Sequence, residues 1–243
     1  MIIINAGVPR SGTVLVNSII RNLLQDVTPS ILQANPNEDE LLPLLKKIIS
    51  NGEDKTRPCL IHTHSWSKEI SAVLAAHSNK RVLVNYRDPR DVAVSLMKLH
   101  DHNFEYAARL TEASFAKIAA CIRETRNLAL PYELLIPGKR LAIYQIAQFL
   151  GIRPSMRQIA IIDEETSIEN HRSIMKSVQD GALKTIIRKH NSNRVLAEDS
   201  VTLINDRHIQ SGASGRWREE FPSTQHELIT DRFTHILGNF GYE

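Results

Sequence analysis

Ile2-Ile3-Ile4-Asn5-Ala6-Gly7-Val8-Pro9-Arg10-Ser11-Gly12-Thr13-Val14 opens the chain, and its reading decides the fold. Ile2 to Ile4 reads as a short buried strand. Gly7 to Thr13 reads as a loop. From Val14 to Leu24, the apolar residues Leu15, Ile19, Ile20, Leu23 and Leu24 recur at helical spacing. Gly7 and Gly12 have the G-x-x-x-x-G spacing of a phosphate-binding loop between strand and helix. Glycines let a backbone wrap an anion, and the N–H groups at the helix start then point at it. The kinase type of this loop continues with Lys and then Ser or Thr. Here Thr13 and Val14 stand in those places, and the cation is Arg10, inside the loop. An ordinary strand-to-helix turn with Ser11 as N-cap fits the same residues.

The alternation of strand and helix continues outward. Asp39 to Ile49 reads as an amphipathic helix, Cys59 to His62 as a strand, and Ser67 to Ala76 as a helix. Arg81 to Tyr86 is the clearest strand. Asp91 is suited to N-cap a helix over Val92 to Leu99. Residues 104–128 are mostly helical, Leu128 to Tyr132 holds a strand end, and Lys139 to Leu150 is a helix stopped by Gly151. This order predicts an α/β fold, a parallel β-sheet flanked by helices, in a single domain over residues 1–243. The stretch from Asp180 to Arg207 reads as a polar, basic tail. Within it, residues 184–194 suit a solvated face or a mobile lid.

Composition narrows the function. With 42% hydrophobic residues in 243, the chain can build a core, and disorder over most of its length is excluded. Thirty Lys and Arg against 27 Asp and Glu leave only +3, too little to point to DNA, RNA or a charged membrane. Aromatics at 5% argue against a base-stacking platform. No apolar run approaches the roughly 18–20 residues of a membrane span. Two cysteines, Cys59 and Cys121, cannot make a disulfide framework and read as buried thiols. The expectation is a cytoplasmic protein.

Two further segments carry candidate chemistry. Arg87 closes the clearest strand, and in a parallel sheet such strand ends face the ligand crevice. Ser95 follows eight residues on, so one phosphate is within reach of both side chains. Pairing of Arg87 with Asp88 or Asp91 is the plainer alternative. His62 and His64 end another strand beside the same crevice, where a neutral imidazole can accept a proton from a hydroxyl. Two histidines one residue apart, with no Cys or carboxylate close in sequence, are poor zinc spacing, so no metal is expected.

Together these pieces resemble the sulfotransferases that use 3′-phosphoadenosine 5′-phosphosulfate (PAPS). Pro9-Arg10-Ser11-Gly12-Thr13 resembles the family's 5′-phosphosulfate loop, P-[KR]-S-G-T. Tyr86 to Ser95 resembles its 3′-phosphate motif, in which the Arg and the Ser eight later bind that phosphate. His62-Thr63-His64 resembles its K-T-H element, with His64 on the catalytic base. Tyr132-Glu133-Leu134-Leu135 and Phe149-Leu150-Gly151 resemble Y-E-x-L and F-L-G, and the tyrosine contacts the nucleotide. Thr166-Ser167-Ile168 is similar to the T-S-F beside adenine. Gly212-Ala213-Ser214-Gly215-Arg216-Trp217-Arg218 resembles the C-terminal G-x-x-G-x-W-[KR]. The elements fall in family order.

The resemblance implies the P-loop-like sulfotransferase fold of the nucleotide-hydrolase type, PAPS as cofactor and PAP as its product. It implies in-line sulfuryl transfer to a hydroxyl or amine of a small-molecule or carbohydrate acceptor. His64 would be the base and Arg10 the fixed cation. Cofactor binding would fall to Pro9, Arg10, Ser11, Gly12, Thr13, Val14, Arg87, Ser95, Tyr132, Thr166, Gly212 and Arg216. The sequence departs from the family at Val14 for a second Thr, Leu15 for Trp, Ile168 for an aromatic, and Gln210-Ser211 for Arg-Lys. A P-loop nucleotide kinase and a non-catalytic nucleotide-binding protein of the same fold are the alternatives.

Overall fold

The computed structural model describes residues 1–25, 31–34, 36, 38–100, 103–180, 185–189, 195–199 and 212–242. Five strands form one sheet: β1 (Ile2–Gly7), β2 (Leu32–Ala34), β3 (Cys59–Thr63), β4 (Lys80–Tyr86) and β5 (Asn127–Pro131). Their order is β2-β3-β1-β4-β5, and every neighbouring pair is parallel. A parallel sheet is covered on both faces, which is why its strands read as apolar runs rather than as alternation. Ile2, Ile3 and Ile4 are all fully buried.

Helices cover both faces: α1 (Thr13–Gln25), α2 (Glu38–Asn51), α3 (Glu53–Thr56), α4 (Lys68–Ala75), α5 (Pro89–His100), α6 (Phe104–Glu124), α7 (Tyr132–Leu135), α8 (Lys139–Leu150), α9 (Met156–Glu165), α10 (Ile168–Gln179), α11 (Trp217–Glu220) and α12 (His226–Phe240). Successive strand residues point to opposite faces. Ile2, Ile4, Ile61, Val82 and Val84 therefore pack with α2, α4, α5 and α6. Ile3, Leu60 and Leu83 pack with α1, α8 and α9. A third cluster, Ala93, Ala108, Trp217, Phe233 and Leu237 among it, ties α11 and α12 to α5 and α6. Cys59 and Cys121 are buried free thiols, and burial pushes Cys121 up to about 12. Among the described residues, no helix is long and apolar enough to cross a membrane.

Several expectations change. β1 runs on to Gly7, because polar Asn5 is satisfied inside the fold. Its Nδ2 donates to Thr13 O at 2.9 Å, and its Oδ1 accepts from Asn85 Nδ2 at 2.5 Å. Helix α5 starts at Pro89, a residue whose fixed φ and missing N–H suit a first helical position. Asp91 thus lies inside the first turn and does not cap it. The edge strand β2 and helix α12 were not legible. The backbone at Thr185–Lys189 and Val195–Asp199 forms an antiparallel pair, β6 and β7, where a polar tail was expected. Lys184 and residues 190–194, the rest of that stretch, lie outside the described residues.

The register places the functional loops. Ala6 is level with Thr63 and Gly7 with Asn85, so β1, β3 and β4 end side by side at their carboxyl ends. Asn5→Ala would take a side-chain bond from Thr13 O and the shorter of two acceptors from Asn85 Nδ2. Its expected cost is about 1–3 kcal/mol in urea unfolding.

Candidate active site

The loop after β1 is built around its glycines and its one cation. Val8 N donates to Asn85 O at 2.9 Å, which fixes the loop's first residue to β4. A Cβ on Gly7 would lie 2.7 Å from Thr13 Oγ1, so only glycine lets the helix start fold back this closely. Gly12 has φ 80°, and a Cβ there would lie 3.0 Å from the Tyr132 ring. Ser11 is fully buried, and its hydroxyl donates to Val8 O at 2.6 Å. It braces the loop on itself instead of capping α1. Pro9 and Val14 are half-buried at the loop's rim, and Thr13 opens the helix. The first N–H groups of α1 have no partners within the helix.

Arg10 has φ 69°, the one non-glycine residue with positive φ among the described residues. An L-residue there costs on the order of 1–2 kcal/mol. The loop turns the guanidinium toward α5, where Nε donates to Ser95 Oγ at 2.8 Å. Burial and then the charge of Arg87 bring Arg10 down to about 10, against an upward pull from Tyr132. It remains a cation at neutral pH.

Arg87 stands at the end of β4, as the strand reading required. Its Nη2 donates to Ala213 O at 2.6 Å and to Asp91 Oδ2 at 3.2 Å. Its guanidinium lies 4.3 Å over the Tyr132 ring. Its Nε–H is buried and has no hydrogen-bond partner among the described residues, which suits an anion. Ser95 and Asp91 are four residues apart and share one face of α5. Asp88 pairs instead with Arg90, at 2.7 Å.

His64 lies just beyond β3. The ring is densely surrounded by protein yet keeps an exposed edge. Its Nδ1 is 2.7 Å from Gly7 O. A carbonyl only accepts, so Nδ1 carries the proton and Nε2 keeps a lone pair. Burial, and then the charge of Arg10, hold the group below the ordinary 6.5, outweighing the Gly7 bond that raises it. His62 is buried, its ring edge-on to His64 at 4.9 Å between centroids. Trp66 packs in the core, its Nε1 donating to Ser71 Oγ at 3.1 Å and Glu124 Oε2 at 3.3 Å.

The C-terminal residues 212–217 lie across this cluster. Tyr132 OH donates to Gly212 O at 2.9 Å. A Cβ on Gly212 would lie 3.1 Å from Ile168 Cδ1. Thr166 is turned away, its hydroxyl donating to Ile162 O at 2.6 Å at the end of α9. Ile168, not Thr166, is the residue brought against Gly212. Arg216 opens α11 and donates to Glu220 at 3.2 Å. Gln210 and Ser211 lie outside the described residues. Sequence reasoning missed Asn5, Asn85 and the anchoring role of Asp91. Asn-x-Gly following an apolar triplet was the available signal for the first.

A sequence profile described as the sulfotransferase domain matches residues 2–241. The chain belongs to that family. Its reaction class is thus PAPS-dependent sulfuryl transfer. No curated protein sequence matches it significantly. Solved structures do. Mouse sulfotransferase SULT7A1, complexed with PAP, aligns at 19% identity and a TM-score of 0.66, over 98% of this chain and 85% of that one. A retinol dehydratase in complex with androsterone and inactive cofactor PAP aligns at 18% identity and 0.61, over 97% and 80%. At such identities the likeness shows the sulfotransferase fold, a five-stranded parallel sheet between helices.

Gly12 offers a test of the loop. Gly151, φ 78°, has nothing within 4 Å of a built Cβ. Gly151→Ala should cost only the backbone penalty, about 1–2 kcal/mol. Gly12→Ala should cost more in thermal unfolding, because its methyl also presses on Tyr132.

Proposed function

We propose that the chain works as a single sulfotransferase domain over residues 1–243, moving a sulfuryl group from PAPS to a hydroxyl or amine of a small-molecule or carbohydrate acceptor. The observation that carries this reading is that Arg10, bonded to Ser95 Oγ, gathers with Arg87 and a neutral His64 at three adjacent strand ends. The low aromatic content favours a carbohydrate or alkyl alcohol over a phenol. We read the protein as cytoplasmic, in keeping with its two buried free thiols.

PAPS, when bound, supplies a sulfuryl group on a phosphosulfate anhydride. The residues present fit such a donor. The N–H groups of Gly12, Thr13 and Val14 at the start of α1 hold the 5′-phosphate, with Pro9 and Ser11 shaping the loop. Arg10 places fixed positive charge where the bridging oxygen gains negative charge on S–O cleavage. Its role is charge alone, since a guanidinium does not give up its proton at working pH. Arg87 would offer its buried Nε–H to the 3′-phosphate, and Ser95, whose Oγ accepts from Arg10 Nε, would add its hydroxyl proton. Tyr132, Ile168 and the Gly212 backbone would line the nucleotide end, with Thr166 nearby in sequence. Arg216 is a peripheral cation here. His64 Nε2 takes the acceptor's proton as its oxygen or nitrogen bonds to sulfur, and the Gly7 carbonyl steadies the imidazolium through Nδ1–H.

Calorimetric titration with PAP and with ADP tests the nucleotide site. PAP should bind tightly and ADP much more weakly, and Arg87→Ala should remove about 10- to 100-fold of that difference. Equal binding of PAP and ADP by the unaltered protein would sink the reading. His64→Ala should lower kcat by about 10²–10⁴-fold while PAP affinity holds.

The pH profile carries a signed expectation. The pKa of His64 is depressed, so the base stays neutral below 6.5 and the acid limb of kcat/KM should fall below that value. In stability the unfolded chain takes the proton first. The contribution of His64 is therefore complete above 6.5 and is lost as pH falls from there toward the folded value.

A further inference from the structure

Residues 212–217 are held by one carboxylate from α5. The side chain of Asp91 is fully buried. Its Oδ2 accepts from Gly215 N at 2.7 Å and from Arg87 Nη2 at 3.2 Å, and its Oδ1 accepts from Trp217 N at 3.0 Å. Arg87 Nη2 also donates to Ala213 O at 2.6 Å. Positive φ at Gly212 and Gly215, 71° and 79°, lets the backbone bend between these anchors.

We propose that Asp91 is a positioning residue that sets the preference for a nucleotide bearing a 3′-phosphate. The proposal rests on the reading of Arg87 as the donor to that phosphate. A guanidinium is a rigid planar fork. Asp91 and Ala213 both draw on Nη2, and with one corner of the plane fixed, its rotation is fixed too. Left over are Nη1 and the buried Nε–H, the latter a donor with no protein partner among the described residues. The same carboxylate brings the backbone of Gly215 and Trp217 against α5, which keeps Ala213 O over Arg87. Arg87 and the C-terminal segment therefore take their places together. The 5′-phosphate loop belongs to β1 and α1, and the hydrogen bonds of Asp91 go to Arg87, Gly215 and Trp217. Loss of Asp91 should be felt by the 3′-phosphate and not by the rest of the nucleotide.

Asp91→Asn keeps the size of the side chain but replaces one of the two oxygens that together accept from three donors by an N–H group. Dissociation constants for PAP and ADP would be measured by calorimetry on the full-length protein, its Asp91→Asn variant and its Arg87→Ala variant, each with a thermal unfolding curve. Asp91→Asn is expected to weaken PAP by about 10- to 100-fold and to leave ADP within about twofold. Asp91→Glu, which keeps the charge but displaces it by one carbon, should weaken PAP selectively to a smaller extent, and it serves where the Asn variant does not fold. An unchanged PAP-to-ADP ratio, or an equal loss of both nucleotides, would overturn the proposal. If Arg87→Ala also leaves that ratio unchanged, the reading of Arg87 fails as well. If Arg87→Ala collapses the ratio and the Asp91 variants do not, only the role of Asp91 falls.

Discussion

The hydrogen bond between the side-chain amides of Asn5 and Asn85 lets this sheet end in chemistry instead of in hydrophobic packing. Two central strands must carry polar atoms through a layer that is otherwise apolar. Unpaired, each buried amide would cost about 1–3 kcal/mol. Paired through Asn85 Nδ2 and both polar atoms of Asn5, they become a brace, with Asn85 Oδ1 alone left without a partner among the described residues. Asn85 Nδ2 reaches Asn5 and Ala6 O, Asn5 reaches Thr13 O, and Asn85 O receives Val8 N. Both ends of the loop from Val8 to Thr13 are thereby tied to the sheet. The loop can then hold Arg10 in a left-handed conformation that a free chain would abandon.

A second constraint is charge. Arg87 stands close enough to Arg10 to disfavour its proton, which is part of why Arg10 is held down. Their repulsion is offset unevenly. Arg87 has Asp91 and the face of Tyr132. Tyr132 answers Arg10 as well, pulling it upward. The phenol hydroxyl of Tyr132 is itself pushed up by burial, so it stays a neutral donor to Gly212. A site with two like charges and one nearby carboxylate keeps a positive field at its centre. The charge of Arg10 also helps keep His64 neutral, with the Nε2 lone pair open to a proton. One of the cations that would receive the anionic donor thus poises the base.

The parts legible in sequence were those with a strong local period or a fixed spacing. Ile2 to Ile4 and Arg81 to Tyr86 showed themselves as strands because both faces of a parallel strand are apolar. The glycine spacing of the loop and the Arg87–Ser95 interval come from backbone geometry over a few residues. Asp91 was read as a helix cap because its partners, Gly215 and Trp217, lie far along the chain. Glu133 gave no sign of its role for the same reason. It accepts from Asp88 N at 3.3 Å and from Tyr242 OH at 2.7 Å, joining the end of β4 to the end of α12. The strand β2 is too short for a period to show, and its place is set by pairing with β3. The hydroxyl of Thr166, which the family resemblance sets beside the adenine, donates one helical turn back to Ile162 O, a local bond that a motif does not announce.

Tyr132 shows how the substitutions in the nucleotide end fit together. Its ring is the wall against Gly12, its face receives Arg87, and its hydroxyl reaches Gly212. One side chain therefore spans the loop after β1, the end of β4 and the C-terminal segment. Leu15 stands where relatives carry a tryptophan and Ile168 where they carry another aromatic. Aliphatic side chains in those places provide contact area but no ring face or polar tip. The orientation of a bound nucleotide then falls more heavily on Tyr132 and on the groups that fix Tyr132. Those groups are Gly12, which must lack a side chain, and Gly212, whose carbonyl accepts from the Tyr132 hydroxyl. The loop that carries Gly12 depends in turn on Asn5 and Asn85, as the setting of Arg87 toward a 3′-phosphate depends on Asp91, residues that touch no ligand in this reading and yet decide where the ligand-facing groups stand.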